Sequence, residues 1–211
     1  MQKKTTSHSI VQHVQANSSI YLFIMTLFLM GIVFGAVIVN SLSYVQKEDL
    51  FYYLQRFFGQ VSKGNIAASE DLFQQSFWHN LKYLGLIWVL GISIIGLPLI
   101  FIFLFMKGIV VGFSVGFLVN QMGWKGFLVS IAAVLPQNLF IIPAFILIAA
   151  SAVAFSLQLI KKIFVHQSGH FPILPMFSRY VIYFIIAVGI VTIAASVEAY
   201  LSPSLMKMVL K

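Results

Sequence analysis

The sequence predicts an all-α polytopic membrane protein with about five transmembrane helices, one of them broken or re-entrant, and an amphipathic extracytoplasmic helical segment. Three observations lead there. Hydrophobic residues make up 60% of the 211 positions and charged residues only 9%, whereas a soluble domain carries about a quarter charged residues. Apolar runs such as Ile20 to Leu42 exceed the roughly 20 residues that cross a bilayer as a helix. Another apolar run contains "AVLPQNLFIIPAF", Ala133 to Phe145, in which a Pro-Gln-Asn triplet and then Pro143 interrupt residues otherwise suited to hydrocarbon.

Residues 1–19 form a polar tail with Lys3, Lys4, His8 and His13. The first span, 20–42, is longer than the roughly 7–15 residue apolar core of a secretory signal and reads as an uncleaved anchor. Residues 43–82 are more polar, with Lys47, Arg56, Lys63 and Lys82 against Glu48, Asp49, Glu70 and Asp71. Within them Leu50, Leu54, Phe57, Phe58 and Val61 recur at helical spacing on one face, and Ser43 with Gln46 has the pattern of a capping box. Gly64 and Asn65 would stop that helix. So short a segment builds no core of its own, so its apolar face is expected on lipid headgroups or on a protein partner.

Residues 84–211 read as a membrane bundle of four spans: Leu84–Phe105, Gly108–Met122, Gly126–Ile160 and Arg179–Tyr200. As one helix, Gly126–Ile160 would extend about 52 Å at 1.5 Å per residue, against a hydrocarbon core of about 30 Å. Pro136 is the place for a break, because it removes a backbone donor and disfavours helix at Leu135. With the N terminus inside, five crossings put Lys107, in the loop between the second and third spans, in the cytoplasm. The 43–82 segment then lies outside. Basic residues fall nearly equally on the two sides, so the orientation rests on the outside bases of 43–82 being matched by acids in a longer loop.

Gly31 and Gly35 form a GxxxG pattern, and Gly108, Gly112 and Gly116 a doubled one. Such stripes let helices approach closely, as internal packing or as a seam between copies in a homo-oligomer. "GFSVG", Gly112 to Gly116, matches the GxSxG pattern of serine hydrolases, but no histidine is placed to activate Ser114 and no strand-to-helix turn is predicted there. His166 and His170 flank a glycine and precede "FPILP", so a helical metal pair is not expected. Cysteine is absent, which removes disulfides, thiolate chemistry and Cys-bound metal. Nothing points to a cofactor. The basic balance, pI 9.8, suits membrane lipid and not nucleic acid, since no charged domain is available to track a phosphate backbone.

Gln137, Asn138 and Glu198 remain. Amides within the bilayer must find partners, and Glu198 is conspicuous near the end of the last span. They define either an intramembrane polar site between the fourth and fifth spans, as in a channel or transporter component, or interhelical hydrogen bonding alone.

"LFLMGIVFGAVIVNSLS" in the first span, "LPQNLFIIPA" in the fourth and "AASVEAYLSP" at the end of the fifth closely resemble the stage II sporulation protein M family, over essentially the whole chain. Broader relatives of that family have His-Gly and a glutamate where this chain has Gln137, Asn138 and Ile142, so ionisable chemistry at those positions does not carry over; Glu198 matches their closing "EA…P" carboxylate. The resemblance implies a non-enzymatic scaffold of forespore engulfment at the septal membrane. Its implied partners are stage II sporulation proteins D and P, the peptidoglycan hydrolases of that machinery.

Overall fold

A computed structural model describes residues 14–62, 68–164 and 173–210. The described elements are helical: α1 (Ser18–Ser41), α2 (Tyr44–Ser62), α3 (Ser69–Gly91), α4 (Gly96–Ala133), α5 (Leu135–Phe164), α6 (Ile173–Ser196), a π-helical turn (Val197–Leu201) and α7 (Ser202–Leu210). Four stretches among them are long and apolar enough to cross a membrane: Ser18–Ser41, Gly96–Ala133, Leu135–Lys162 and Leu174–Val209. The chain is therefore an all-α polytopic membrane protein.

The direction of each pass follows from the contacts. A Cβ on Gly31 would meet the Phe105 carbonyl oxygen at 2.5 Å and Gly108 Cα at 3.2 Å, one on Gly35 would meet Ile109, and one on Gly116 would lie 2.9 Å from Ala36 Cα. Residue numbers rise together along both helices, so α1 and α4 run parallel. Two parallel passes require a return pass between them, and α3 makes it. Its C-terminal Gly91 leads through residues 92–95 directly into Gly96, which places that turn at the same end of the bundle as the start of α1. We call this the tail end, and the opposite end, where α1 stops, the platform end. Ser156 near the end of α5 meets Ser93 at the tail end, its hydroxyl donating to the Ser93 carbonyl at 3.4 Å. Tyr180 near the start of α6 donates to the Trp88 carbonyl at 2.6 Å. Five helices thus run along the bundle, four of them in the stretches long and apolar enough to cross a membrane.

Its axis is α5. All residues from Leu147 to Ser156 are buried, and the small side chains of "AASAVA" let neighbours close in on every side. Ile148, Ala149 and Ala152 meet Ile24 and Phe28 of α1, Leu84 and Ile87 of α3, Ile100 and Leu104 of α4, and Ala187 and Val191 of α6 in one core. At the tail end Tyr180 stacks between Phe155, 4.7 Å away, and Trp88, 5.6 Å away, centroid to centroid.

Two helix boundaries differ from the sequence expectation. The expected spans Leu84–Phe105 and Gly108–Met122 are replaced by a turn at residues 92–95 and a continuous helix through Lys107, which lies inside α4 and not in a loop. In "GISIIG" the turn closes through Ser93 N–H to Leu90 carbonyl at 3.0 Å and Gly96 N–H to Ser93 carbonyl at 3.1 Å. A Cβ on Gly96 would lie 2.6 Å from the Leu90 carbonyl carbon. The turn is apolar, so hydropathy does not register it. The overlong Gly126–Ile160 stretch is broken at Val134, next to the expected Leu135. A second bend precedes it at Gly123, whose φ of 57° and ψ of −133° suit glycine alone. Pro136 then occupies the first turn of α5, where its missing N–H costs no helical bond.

The amphipathic segment forms α2, and its capping box is reciprocal. Ser43 N–H donates to Gln46 Oε1 at 2.9 Å and Gln46 N–H to Ser43 Oγ at 3.3 Å. The stop expected at Gly64 and Asn65 lies outside the described residues. The expectation that this apolar face meets only lipid or another protein requires correction. Leu54 and Phe58 pack on Leu118, Met122, Val129 and Val209, and Val61 packs on Ala132 and Met206. Leu50 and Phe57, 41% and 47% exposed, stay outside. The end of α4 and α7 supply a surface that the segment alone lacks, and together the three make a platform over one end of the bundle.

Candidate functional site

The polar side chains inside the bundle converge from four elements. Asn80 and Ser76, one turn apart on the buried face of α3, are 4% and 7% exposed. Asn80 holds its own helix through Nδ2, which donates to the Ser76 carbonyl at 3.0 Å, and its Oδ1 accepts from Lys107 Nζ of α4 at 3.3 Å. The Lys107 ammonium also stands 5.1 Å above the Phe145 ring of α5, a cation–π contact that offsets part of its desolvation.

Glu198 enters from the π-helical turn. Pro203 has no N–H to close a helical bond onto Ala199, and the turn widens, with Ser202 N–H donating to the Val197 carbonyl. The turn aims the carboxylate inward. Ser76 Oγ donates to Glu198 Oε2. In the amide orientation that the hydrogen-bond network selects, Gln137 Nε2 donates to Glu198 Oε1 at 2.7 Å and also to Oε2. Lys107 and His79 lie near enough to act electrostatically on the carboxylate. A carboxylate and an ammonium are thus held in one cluster, each with hydrogen-bond partners, which is the condition for burying charge at tolerable cost.

Of the residues the sequence singled out, Gln137 and Glu198 are brought together. Asn138 is not part of the cluster: its Nδ2 donates to the Val134 carbonyl at 2.7 Å, at the break before α5. The two amides of the Pro-Gln-Asn triplet therefore part ways, Asn138 doubling its own backbone bond to the Val134 carbonyl and Gln137 serving Glu198. Lys107, Asn80, Ser76 and His79 escaped the sequence reading. A lone charge in "LIFIFLFMKGIVVGF" is the signal that could have found Lys107; the others lie in a stretch whose polarity resembles a loop.

The glycine stripes lie elsewhere. Across the α1–α4 seam Gly31 lies against Gly108, Gly35 against Ile109, Gly112 against Ile32 and Gly116 against Ala36. Ser114 donates to the Val110 carbonyl at 2.8 Å in mid-helix. Among the described residues no group of three or more His, Asp or Glu could hold a metal ion, and His166 and His170 lie outside them.

The sequence model of one family, described as "SpoIIM: Stage II sporulation protein M", matches residues 24–203, which takes in every residue of the cluster and both glycine stripes. No curated protein and no solved structure matches the chain.

Proposed function

Because this chain belongs to the stage II sporulation protein M family, and is thus a sporulation-related multi-pass membrane protein, we propose that it is a non-enzymatic scaffold that recruits and holds the peptidoglycan hydrolases, stage II sporulation proteins D and P, at the septal membrane during engulfment. The observation that carries the reading is the setting of α2. Phe58 and Val61 anchor it to the platform, while Glu48, Asp49, Tyr52, Gln55 and Arg56 remain exposed on its opposite side. A rigid helix presenting Tyr and Arg outward suits a protein partner, since those residues dominate binding hot spots. The platform end is taken as extracytoplasmic. Single cysteines at Gln60 and Lys161 in this cysteine-free chain would then react with impermeant reagent from opposite sides.

Tyr52→Ala with Arg56→Ala is expected to leave the protein inserted and folded but to lower co-purification of the two hydrolases at least about tenfold, since hot-spot residues commonly carry about 2 kcal/mol each. Wild-type recovery would refute this surface as the scaffold contact. A second reading, a channel or transporter component, is favoured by the Lys107–Asn80 and Glu198–Gln137 contacts at membrane depth. Flux through proteoliposomes that Glu198→Gln abolishes would establish it over the pure scaffold.

A further inference from the structure

The outward side of α3 does not suit lipid. Gln75, His79 and Lys82 recur at helical spacing there and are exposed, as is Trp78 at 56%, while Ser76, Asn80, Leu84 and Ile87 of the same helix are buried. Geometry puts this face at membrane depth. Counting back from Gly91 at the tail-end turn, Lys82 lies about 13.5 Å and His79 about 18 Å along the helix at 1.5 Å per residue, well within a hydrocarbon core of about 30 Å. The same level holds Asn80 and Lys107, whose contact ties α3 to the middle of α4. Lys82 is too deep for its stem to carry the ammonium to either edge. It makes no hydrogen bond or ion pair among the described residues, and the His79 ring lies 5.1 Å from that of Tyr83, with the Glu198 carboxylate within electrostatic reach. Charged groups inside membranes almost always face a protein or a water-filled interior.

We propose that this face of α3 docks a membrane-spanning helix of a partner protein that presents a carboxylate at the depth of Lys82. Charge complementarity selects the partner. The chain has five acidic residues, and a second copy has none to offer: Glu48, Asp49, Glu70 and Asp71 lie at the platform end, and Glu198 is held by Ser76 and Gln137. An aspartate or glutamate from elsewhere would neutralise Lys82, while Gln75 and His79 supply further hydrogen bonds and Trp78 and Leu86 supply apolar contact on either side. This surface is separate from the outer side of α2, so this docking and the scaffold contact fail independently.

The test uses the full-length protein in proteoliposomes, with a donor dye on a single cysteine at Gln60 and acceptor-labelled poly-leucine membrane-spanning peptides carrying Glu, Gln or Leu at their centre. The Glu peptide is expected to associate about tenfold more tightly than the Leu peptide. Lys82→Gln removes that preference, Lys82→Arg keeps it, and Lys107→Gln keeps it in protein shown by circular dichroism to be folded. Equal transfer from Glu and Leu peptides, or a preference that survives Lys82→Gln, overturns the proposal. So does energy transfer between two copies that Lys82→Gln abolishes, because the occupant would then be a second copy.

Discussion

Gly112→Ala adds one methyl group to the protein, and the structure predicts that it costs about as much as a deletion from the core. The new Cβ would lie 2.7 Å from the Ile32 carbonyl carbon and 2.8 Å from Ile32 Cα, with the carbonyl oxygen nearer still. Ordinary contact begins at 3.4 Å, so α1 and α4 must separate by at least about 0.7 Å, and all three obstructing atoms are backbone that no rotamer change can move aside. Separation also loosens the contacts of Gly31 with Gly108 along the same seam. Overpacking costs about 1–3 kcal/mol, and the upper end applies here because the load falls on backbone; about 3 kcal/mol lowers the folded-to-unfolded ratio roughly 100-fold. Gly189→Ala in α6 is the control, since its Cβ would meet nothing within 4 Å. It is expected to be neutral or to stabilise by up to about 1 kcal/mol through helix propensity. Equilibrium unfolding by steric trapping in bicelles compares the two. Stability of Gly112→Ala within about 0.5 kcal/mol of wild type, or an equal loss in Gly189→Ala, would refute the seam as the source of the cost.

Phe58 and Phe57 are adjacent but differ in burial, 8% against 47%; Phe58→Ala is expected to cost about 3 kcal/mol and Phe57→Ala less than about 1, read by the same unfolding assay. Removing Glu198 with Glu198→Leu strands the Lys107 charge and is expected to cost about 3 kcal/mol or more, while Lys107→Met in the same protein recovers at least about 1 kcal/mol; an additive double mutant would show that the two charges are uncoupled. Ser43→Ala removes one half of the capping box and is expected to raise amide exchange in the first turn of α2 by an amount matching about 1 kcal/mol, leaving exchange in α5 unchanged.

The sequence by itself determined that the chain is a helical membrane protein, that Ser43 caps a helix, that the long apolar stretch breaks beside Pro136, and that Gln137 and Glu198 need partners. Each of these follows from local chemistry: an apolar run of bilayer length, a side chain within reach of its own backbone, an imide without a proton, a polar group without water. Only the tertiary structure decided where the passes turn and what the polar groups meet. Hydropathy is blind to the turn in "GISIIG", whose residues are as apolar as the helices it joins, so Lys107 read as a loop residue although it lies inside α4. The same measure took the first half of α3, up to Lys82, for an extramembrane segment, because Ser76, Asn80 and Lys82 lower its apolarity; its course along the bundle follows from the parallel setting of α1 and α4, which no single segment encodes. Leu54, Phe58 and Val61 carried a clear helical stripe, but a stripe specifies a need for burial and not the surface that meets it. That surface, from Leu118 and Val129 to Met206, is far away in the chain, and the bend at Gly123 and the widened turn before Pro203 bring it into place.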